Sequence, residues 1–271
     1  MGGRSGGKRM SEAAKAYGGQ GYYIHSEPLL PPDLVQRARA GMDAVRCGEY
    51  DTGRPPQPSP WNPGDDEGVL CKIEMPQQAN RAIRELVGHE ALGEWAAKIT
   101  GAEWVQVWWV QLLYKPSSDE NASNVHVGWH QDRHYWGAWE EGSELFTAWV
   151  ALSDVGPSSG PMCFVQGSHK WGQLPGGDFF DQDLAAQQRG ISVPEGAEWR
   201  EVEAHMSAGG ASFHDALTFH ASGVNTSGEA RRSFAVHLRT NKSRPTGGRC
   251  EGLTQFIQDE DRCPVIYRAK G

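Results

Sequence analysis

The sequence predicts a mainly β domain, a sandwich or jelly roll with helices packed at its flank. Three observations predict it. The 271 residues include 34 glycines and 11 tryptophans, and short runs of β-branched and aromatic residues alternate with Gly, Pro, Ser and Asn clusters. No internal repeat and no strand–helix alternation appears, so a doubly wound parallel sheet is not expected. The connections between candidate strands are very unequal in length, as in jelly rolls.

Residues 1–10 are Gly-rich and basic with no apolar stretch behind them, and read as a disordered tail rather than a secretory signal. Residues 11–271 read as one domain. Helical support is expected over 33–100. Asp33 is placed to cap a helix whose apolar positions are Val35, Ala38, Met42 and Val45, and a second helical stretch runs from Gln77 to Ile99, broken near Gly88. Between them, Gly48 to Gly68 carries Pro55, Pro56, Pro58, Pro60 and Pro63 and reads as a long surface loop, a lid or a disordered segment. The β core is expected over about 102–240, with strands at Trp104–Tyr114, Gly128–Tyr135, Leu145–Leu152, Met162–Gln166, Ala211–Phe219 and Arg231–Leu238. From Thr240 the Arg- and Gly-rich remainder reads as a tail lying over the domain.

Composition excludes several roles. With 26 basic against 34 acidic side chains the net charge is -8, which argues against nucleic-acid or anionic-membrane partners. No run approaches the roughly 18 apolar residues of a membrane span. The five cysteines are odd in number and form no Cys-x-x-Cys pair, so neither a disulfide framework nor a structural zinc site is expected. The expectation is a cytoplasmic protein, monomer or homodimer, acting on a small molecule.

The chemistry concentrates in Gly128-Trp-His-Gln-Asp-Arg-His-Tyr135. On a strand, His130 and Asp132 project to the same side. His220, ninety residues on, can reach the same point from a neighbouring strand. Two histidines and a carboxylate leave three coordination positions open, the arrangement suited to non-haem Fe(II) and O2; structural zinc wants four closed ligands. Arg231 opens a strand with Ser233, Ala235 and His237 on its own face and Arg232, Phe234, Val236 and Leu238 on the other. A guanidinium beside small residues suits a bidentate grip on a carboxylate, while Arg232 is expected to snorkel outwards. His214 reads either as a partner orienting a metal ligand or as a buried structural histidine. Strand alternation places Trp108 and Trp109 on opposite faces.

The set His130-Gln-Asp132, Gly167-Ser-His-Lys170, His220-x-Ser222-x-x-Asn225 and Arg231 resembles the phytanoyl-CoA dioxygenase family, Fe(II)- and 2-oxoglutarate-dependent oxygenases. The likeness covers roughly Val110 to Leu238, with further support from Gln111-Leu-Leu-Tyr-Lys-Pro116. It implies a double-stranded β-helix, a cupin-like jelly roll with flanking helices. It further implies that His130, Asp132 and His220 are the catalytic iron ligands and that Arg231, helped by Ser222, holds the distal carboxylate of 2-oxoglutarate. Gln111 and Trp149 then line the cosubstrate pocket, and Lys72 matches an upstream cosubstrate lysine. Trp136, His134 and His169 are candidates for the substrate side. The implied reaction is hydroxylation of an unactivated carbon with Fe(II), 2-oxoglutarate and O2, releasing succinate and CO2. Asp132 supplies a carboxylate where halogenases of this kind carry a small residue to seat chloride. The rival readings are a non-catalytic metal-binding jelly roll and a metal-dependent hydrolase; neither has a use for the pairing of Ser222 with Arg231. The acidic chain also disfavours an acyl-CoA, whose phosphates want basic surface, against a small polar metabolite.

Overall fold

The computed structural model describes residues 10–119 and 122–270; the expected tail, apart from Met10, lies outside them. Helix α1 (Glu12–Gln20) starts where Ser11 accepts the amide of Ala14 and stops at Gly21, whose φ of 84° only glycine adopts easily. Strand β1 (Tyr22–His25) and helix α2 (Pro32–Arg46) come next. Asp33 does not cap α2: Pro31 holds the cap position and Pro32 the first turn, where a fixed φ and a missing N–H cost nothing. Asp33 instead lies in that first turn, favourably placed for the helix dipole. After β2 (Cys71–Glu74) come α3 (Arg81–Val87) and α4 (Glu90–Thr100), separated at Gly88 and His89 as expected. The remaining elements are β3 (Trp104–Lys115), β4 (Val127–His130), β5 (Leu145–Ala151), β6 (Met162–Val165), α5 (Leu184–Gly190), β7 (Glu201–Ala204), β8 (Ala211–Asp215), β9 (His220–Ser222), β10 (Arg231–Thr240) and β11 (Val265–Arg268).

These strands form two antiparallel sheets. The larger runs β1-β8-β5-β10-β3-β11, with β2 also pairing β3; the smaller runs β4-β9-β6-β7. Together they make the jelly roll. Helices α2 to α4 cover the outer face of the large sheet, where Met42, Ile83, Leu86 and Leu92 meet Val110, Phe146, Phe234 and Val236 in one buried cluster. Each such side chain contributes roughly 1.5–3 kcal/mol by leaving water. The inner face carries Leu113, Trp149 and Ala235 towards Phe164 and Met162 of the small sheet.

Other expectations are corrected. The strand Gly128–Tyr135 ends at His130 and is followed by a 3-10 turn, Asp132–Tyr135. The guanidinium of Arg133 donates to the carbonyls of Trp136 and Trp139, and its amide donates to Ala216 O, so the chain is folded back rather than extended. The stretch Ala211–Phe219 is a strand only to Asp215, where β8 ends in the large sheet; a turn follows, and β9 starts at His220 in the small one. The segment after Thr240 is more than a tail. It ends as edge strand β11 on β3, while Ile257 and Cys263 pack into the tryptophan cluster of Trp108, Trp109, Trp136 and Trp139. The proline-rich loop is packed: Trp61 is buried and donates to Asp66 O, and Gln57 bridges to Glu74.

A bulge in β3 shapes the wall of the barrel. Across β10, His237 pairs with Trp109 but Leu238 with Val107, so one residue of β3 is extra. Val105 and Val107 face the helices, as do Val110 and Leu112, and the switch of parity between them turns Trp108 and Trp109 to the same side. Strict alternation places them on opposite faces; the bulge overrides it.

Candidate active site

His130 ends β4 and His220 begins β9, and the two are direct cross-strand partners with ring centroids 4.1 Å apart. His130 Nδ1 lies 2.8 Å from Gly128 O and His220 Nδ1 2.9 Å from Thr218 O. Donation to those carbonyls protonates both Nδ1 atoms and leaves each Nε2 lone pair free, as metal-ligating histidines require. Asp132 reaches the pair from the 3-10 turn. Its Oδ1 is 3.6 Å from His130 Nε2 and 3.8 Å from His220 Nε2, and the three ligand atoms lie within 4.8 Å of one another. Bonds of about 2.0–2.2 Å from one ion to two imidazole nitrogens and a carboxylate oxygen can span such separations. The donor set fits iron.

The second carboxylate oxygen is held from behind. Thr147 Oγ1 donates to Asp132 Oδ2 at 2.7 Å, and His214 Nε2 stands 3.3 Å from the same oxygen. His214, expected either as an orienting partner or as a buried structural histidine, is buried and lies within charge-pair range of Asp132. Burial works against the charge of Asp132, but the imidazoles of His220, His130 and His214 hold its carboxyl well below the usual range. Burial, reinforced by His130 and His214, keeps His220 well below the ordinary imidazole value, so it offers the neutral form that a metal binds.

A cavity of about 310 Å³ opens beside the triad, walled by Trp108, Trp109, Trp136, Phe179 and His237. The aromatic rings of Tyr135 and Phe180, 40% and 58% exposed, stand at its rim. A narrower inner part continues past His130, Asp132 and His220 to Trp149, Ser222 and Arg231. Arg231 is 1% exposed. It donates to Gly160 O and lies over the Trp149 ring, while its Nε has no partner and it forms no ion pair among the described residues. Lys115, fully buried beside it, donates to Ser222 O, Ser222 Oγ and Gly223 O and likewise meets no carboxylate among them. Burial, together with the charge of Arg231, holds Lys115 well below the ordinary ammonium value. Arg231, a buried cation in the cavity wall with no anion among the described residues, makes a receptor for one.

The other predicted residues divide. Gln111 lines both parts of the cavity and Trp149 the inner part. Lys72 lines the outer part only, 3.4 Å from Glu74 Oε1 and 4.3 Å above the Phe179 ring, in a part of the cavity that Arg231 does not border. Trp136 lines the outer wall. His134 is exposed beside Tyr135 and His169 faces Gly18 O beneath α1; neither forms part of the cavity wall. His169 is carried away by the left-handed turn at Gly167, which ties this segment to Gln20. Sequence reasoning missed Lys115, Thr147 and Glu74. For Lys115 the one available signal was a lysine closing a strand otherwise almost free of charge.

The family model for phytanoyl-CoA dioxygenase (PhyH) matches residues 19–233. Among solved structures, the non-heme alpha ketoglutarate dependent carbocyclase SnoK from nogalamycin biosynthesis is 25% identical, with a TM-score of 0.65 over 88% of this chain and 87% of that one. The epimerase SnoN of the same biosynthesis is 24% identical with a TM-score of 0.64, over 87% and 85%. AviO1 from Streptomyces viridochromogenes Tue57 shares the fold at 22% identity and a TM-score of 0.60, over 88% of this chain and 99% of that one. A comparison with curated proteins gives no match. Among the described residues no helix is long and apolar enough to cross a membrane. The chain belongs to the phytanoyl-CoA dioxygenase family, and is an Fe(II)/2-oxoglutarate-dependent oxygenase with Fe(II), 2-oxoglutarate and O2 as its cofactors.

Proposed function

We propose that this enzyme hydroxylates an unactivated carbon of a small molecule seated in the aromatic-walled cavity, with His130, Asp132 and His220 as the iron ligands. Bound Fe(II) and 2-oxoglutarate supply activation of O2 for hydrogen removal from carbon, with succinate and CO2 released. The chain's own residues do the rest. Arg231 holds the distal carboxylate of 2-oxoglutarate, and Ser222 donates to it. Thr147 and His214 fix Asp132 with one oxygen towards the metal. Trp108, Trp136 and Phe179 exclude water from the reacting carbon. Five unpaired thiols support a reducing, cytoplasmic setting.

One observation carries the reading: a single inner cavity joins the triad to the buried, anion-free Arg231. A hydrolase has no use for such a receptor. The test is succinate release from protein supplied with Fe(II), 2-oxoglutarate and a metabolite pool, with product masses read by mass spectrometry. A gain of one oxygen supports hydroxylation. An unchanged mass, as epimerisation gives, or a loss of two hydrogens, as ring closure gives, would replace it while leaving the oxygenase class intact.

A further inference from the structure

Outside the metal ligands and the carboxylate receptor, the cavity walls hold few polar atoms, and some are already engaged. Glu74 accepts from Trp109 Nε1 at 2.6 Å and from Gln111 Nε2 at 3.3 Å, and Lys72 sits beside it. Among the described residues, two of those bordering the outer part are without a partner, His237 Nε2 and Trp108 Nε1; the inner part adds both ring nitrogens of His214 and Trp149 Nε1. The rings of His237 and Trp108 are 5.6 Å apart. His237 is 3% exposed and borders both the inner and outer parts of the cavity, so it stands where a substrate in the outer part approaches the iron.

The hydrogen-bond chain behind His237 sets its tautomer. Thr147 has one hydroxyl proton and donates it to Asp132 Oδ2. Towards His237 Nδ1, 2.8 Å away, it can only accept, so Nδ1 carries the imidazole proton. Burial holds His237 neutral, its pKa pushed down to about 4, and Nε2 is left as a bare, buried lone pair on a ring that lines the cavity. An unpaired acceptor in a dry wall rejects another acceptor and selects a donor. Trp108, whose ring lies 5.6 Å from that of His237, carries an unpaired Nε1–H as a complementary group in the same wall.

We infer that His237 is a specificity-determining residue, and that the substrate is a ring-bearing alcohol whose hydroxyl donates to His237 Nε2 while its rings stack in the Trp108–Trp136–Phe179 wall. This rests on the oxygenase reading only for the location of the reacting carbon.

Two measurements test it. The first needs no substrate: a long-range ¹H–¹⁵N spectrum of ¹⁵N-histidine protein loaded with Zn(II) and 2-oxoglutarate, with His237 assigned from the His237→Phe spectrum and, should that variant not fold, from His237→Gln. The expected pattern is protonated Nδ1 and bare Nε2; a protonated Nε2 overturns the inference. The second is calorimetric titration of the same protein with 2-tetralol and with 2-tetralone, an isosteric pair differing in the donor. The alcohol should bind at least about tenfold more tightly, and in His237→Phe or, should it not fold, His237→Leu the two should fall within about twofold of each other. Equal affinities in the native protein, or no binding of either compound, overturn it. Titration with 2-oxoglutarate runs in parallel. Failure there with the alcohol preference intact sinks the oxygenase reading alone, and the converse sinks this inference alone.

Discussion

Lys115 Nζ donates to Ser222 Oγ across 2.7 Å, joining residues 107 positions apart in sequence. The hydroxyl spends a lone pair on the ammonium, so its own proton is free to point towards the cavity and Arg231. In the proposed cosubstrate site, Ser222 is thus held in a donating orientation by the buried ammonium of Lys115. Lys115→Met should raise the Michaelis constant for 2-oxoglutarate by roughly tenfold with little change in Fe(II) affinity. Steady-state kinetics and metal titration together check this; an unchanged constant would remove the role.

The same lysine gives the protein without cosubstrate a pH signature. Its pKa is lowered in the folded state from the ordinary value of 10.5, so between the lowered value and 10.5 the unfolded chain binds more protons. Stability contributed by this group therefore rises with pH across that window, by at most about 1.4 kcal/mol per unit. Cys71, Cys163 and Cys263, pushed up to about 12, act in the opposite direction above their ordinary value of 9.0. The difference between native protein and Lys115→Met isolates the lysine. Melting temperatures from about pH 6.5 upward, within the range where native proteins are most stable, should rise more steeply in the native protein.

Arg231 and Arg232 are neighbours with opposite duties. Arg231 faces the cavity, while Arg232 reaches Asp43 on α2 at 3.3 Å, where Asp43 is 45% exposed. Arg231→Lys keeps charge but loses the fork, and should raise the Michaelis constant for 2-oxoglutarate by roughly tenfold or more. Arg232→Lys should change it less than about twofold and cost under about 1 kcal/mol of stability. Reversed effects would show that the strand register is wrong by one residue.

Thr147 lines the inner cavity and donates to the second oxygen of Asp132, and so fixes that carboxylate. Removing its hydroxyl in Thr147→Val should weaken Fe(II) or Co(II) binding by roughly 10–100-fold, read by metal titration, and leave the far-ultraviolet circular dichroism unchanged. His130→Ala or His220→Ala should lose metal binding altogether.

Gly128 precedes the first ligand by two residues, and a Cβ built on it meets the carbonyl oxygen of Asp178. Gly128→Ala should cost about 1–3 kcal/mol and lower metal occupancy. A melting temperature equal to that of the native protein would show that the segment yields freely.

The two histidines, Asp132 and Arg231 were legible because spacing and strand alternation act locally. Asp132 arrives by an element other than the expected one: a strand was expected to bring it beside His130, whereas a 3-10 turn held by Arg133 does so, and nothing in the local pattern separates these two outcomes. His237 shares a face with Arg231 in the strand reading, but its importance depends on Thr147, ninety residues away. Trp108 and Trp109 escape strict alternation because a bulge is a property of two paired strands, and one strand's residues do not announce it. Lys115 was not legible because its burial comes from the contacts of β3 with the β9 end, which composition does not encode.

The contact between Gly128 and Asp178 has one more consequence. The segment 177–187 contributes no ligand to the proposed triad, yet its backbone lies against β4: Gly128 N donates to Phe179 O and Asp178 N to Trp129 O, while the Gln187 side chain accepts the amide of Trp129 and donates to its carbonyl. The wall that carries Phe179 and Phe180 is therefore stitched, main chain to main chain, to the strand that carries His130. Lengthening or shortening this segment to admit a bulkier guest would loosen the iron at the same time. New substrate preferences are open to this scaffold by exchanging the two phenylalanine side chains, and closed to it by remodelling the chain that bears them.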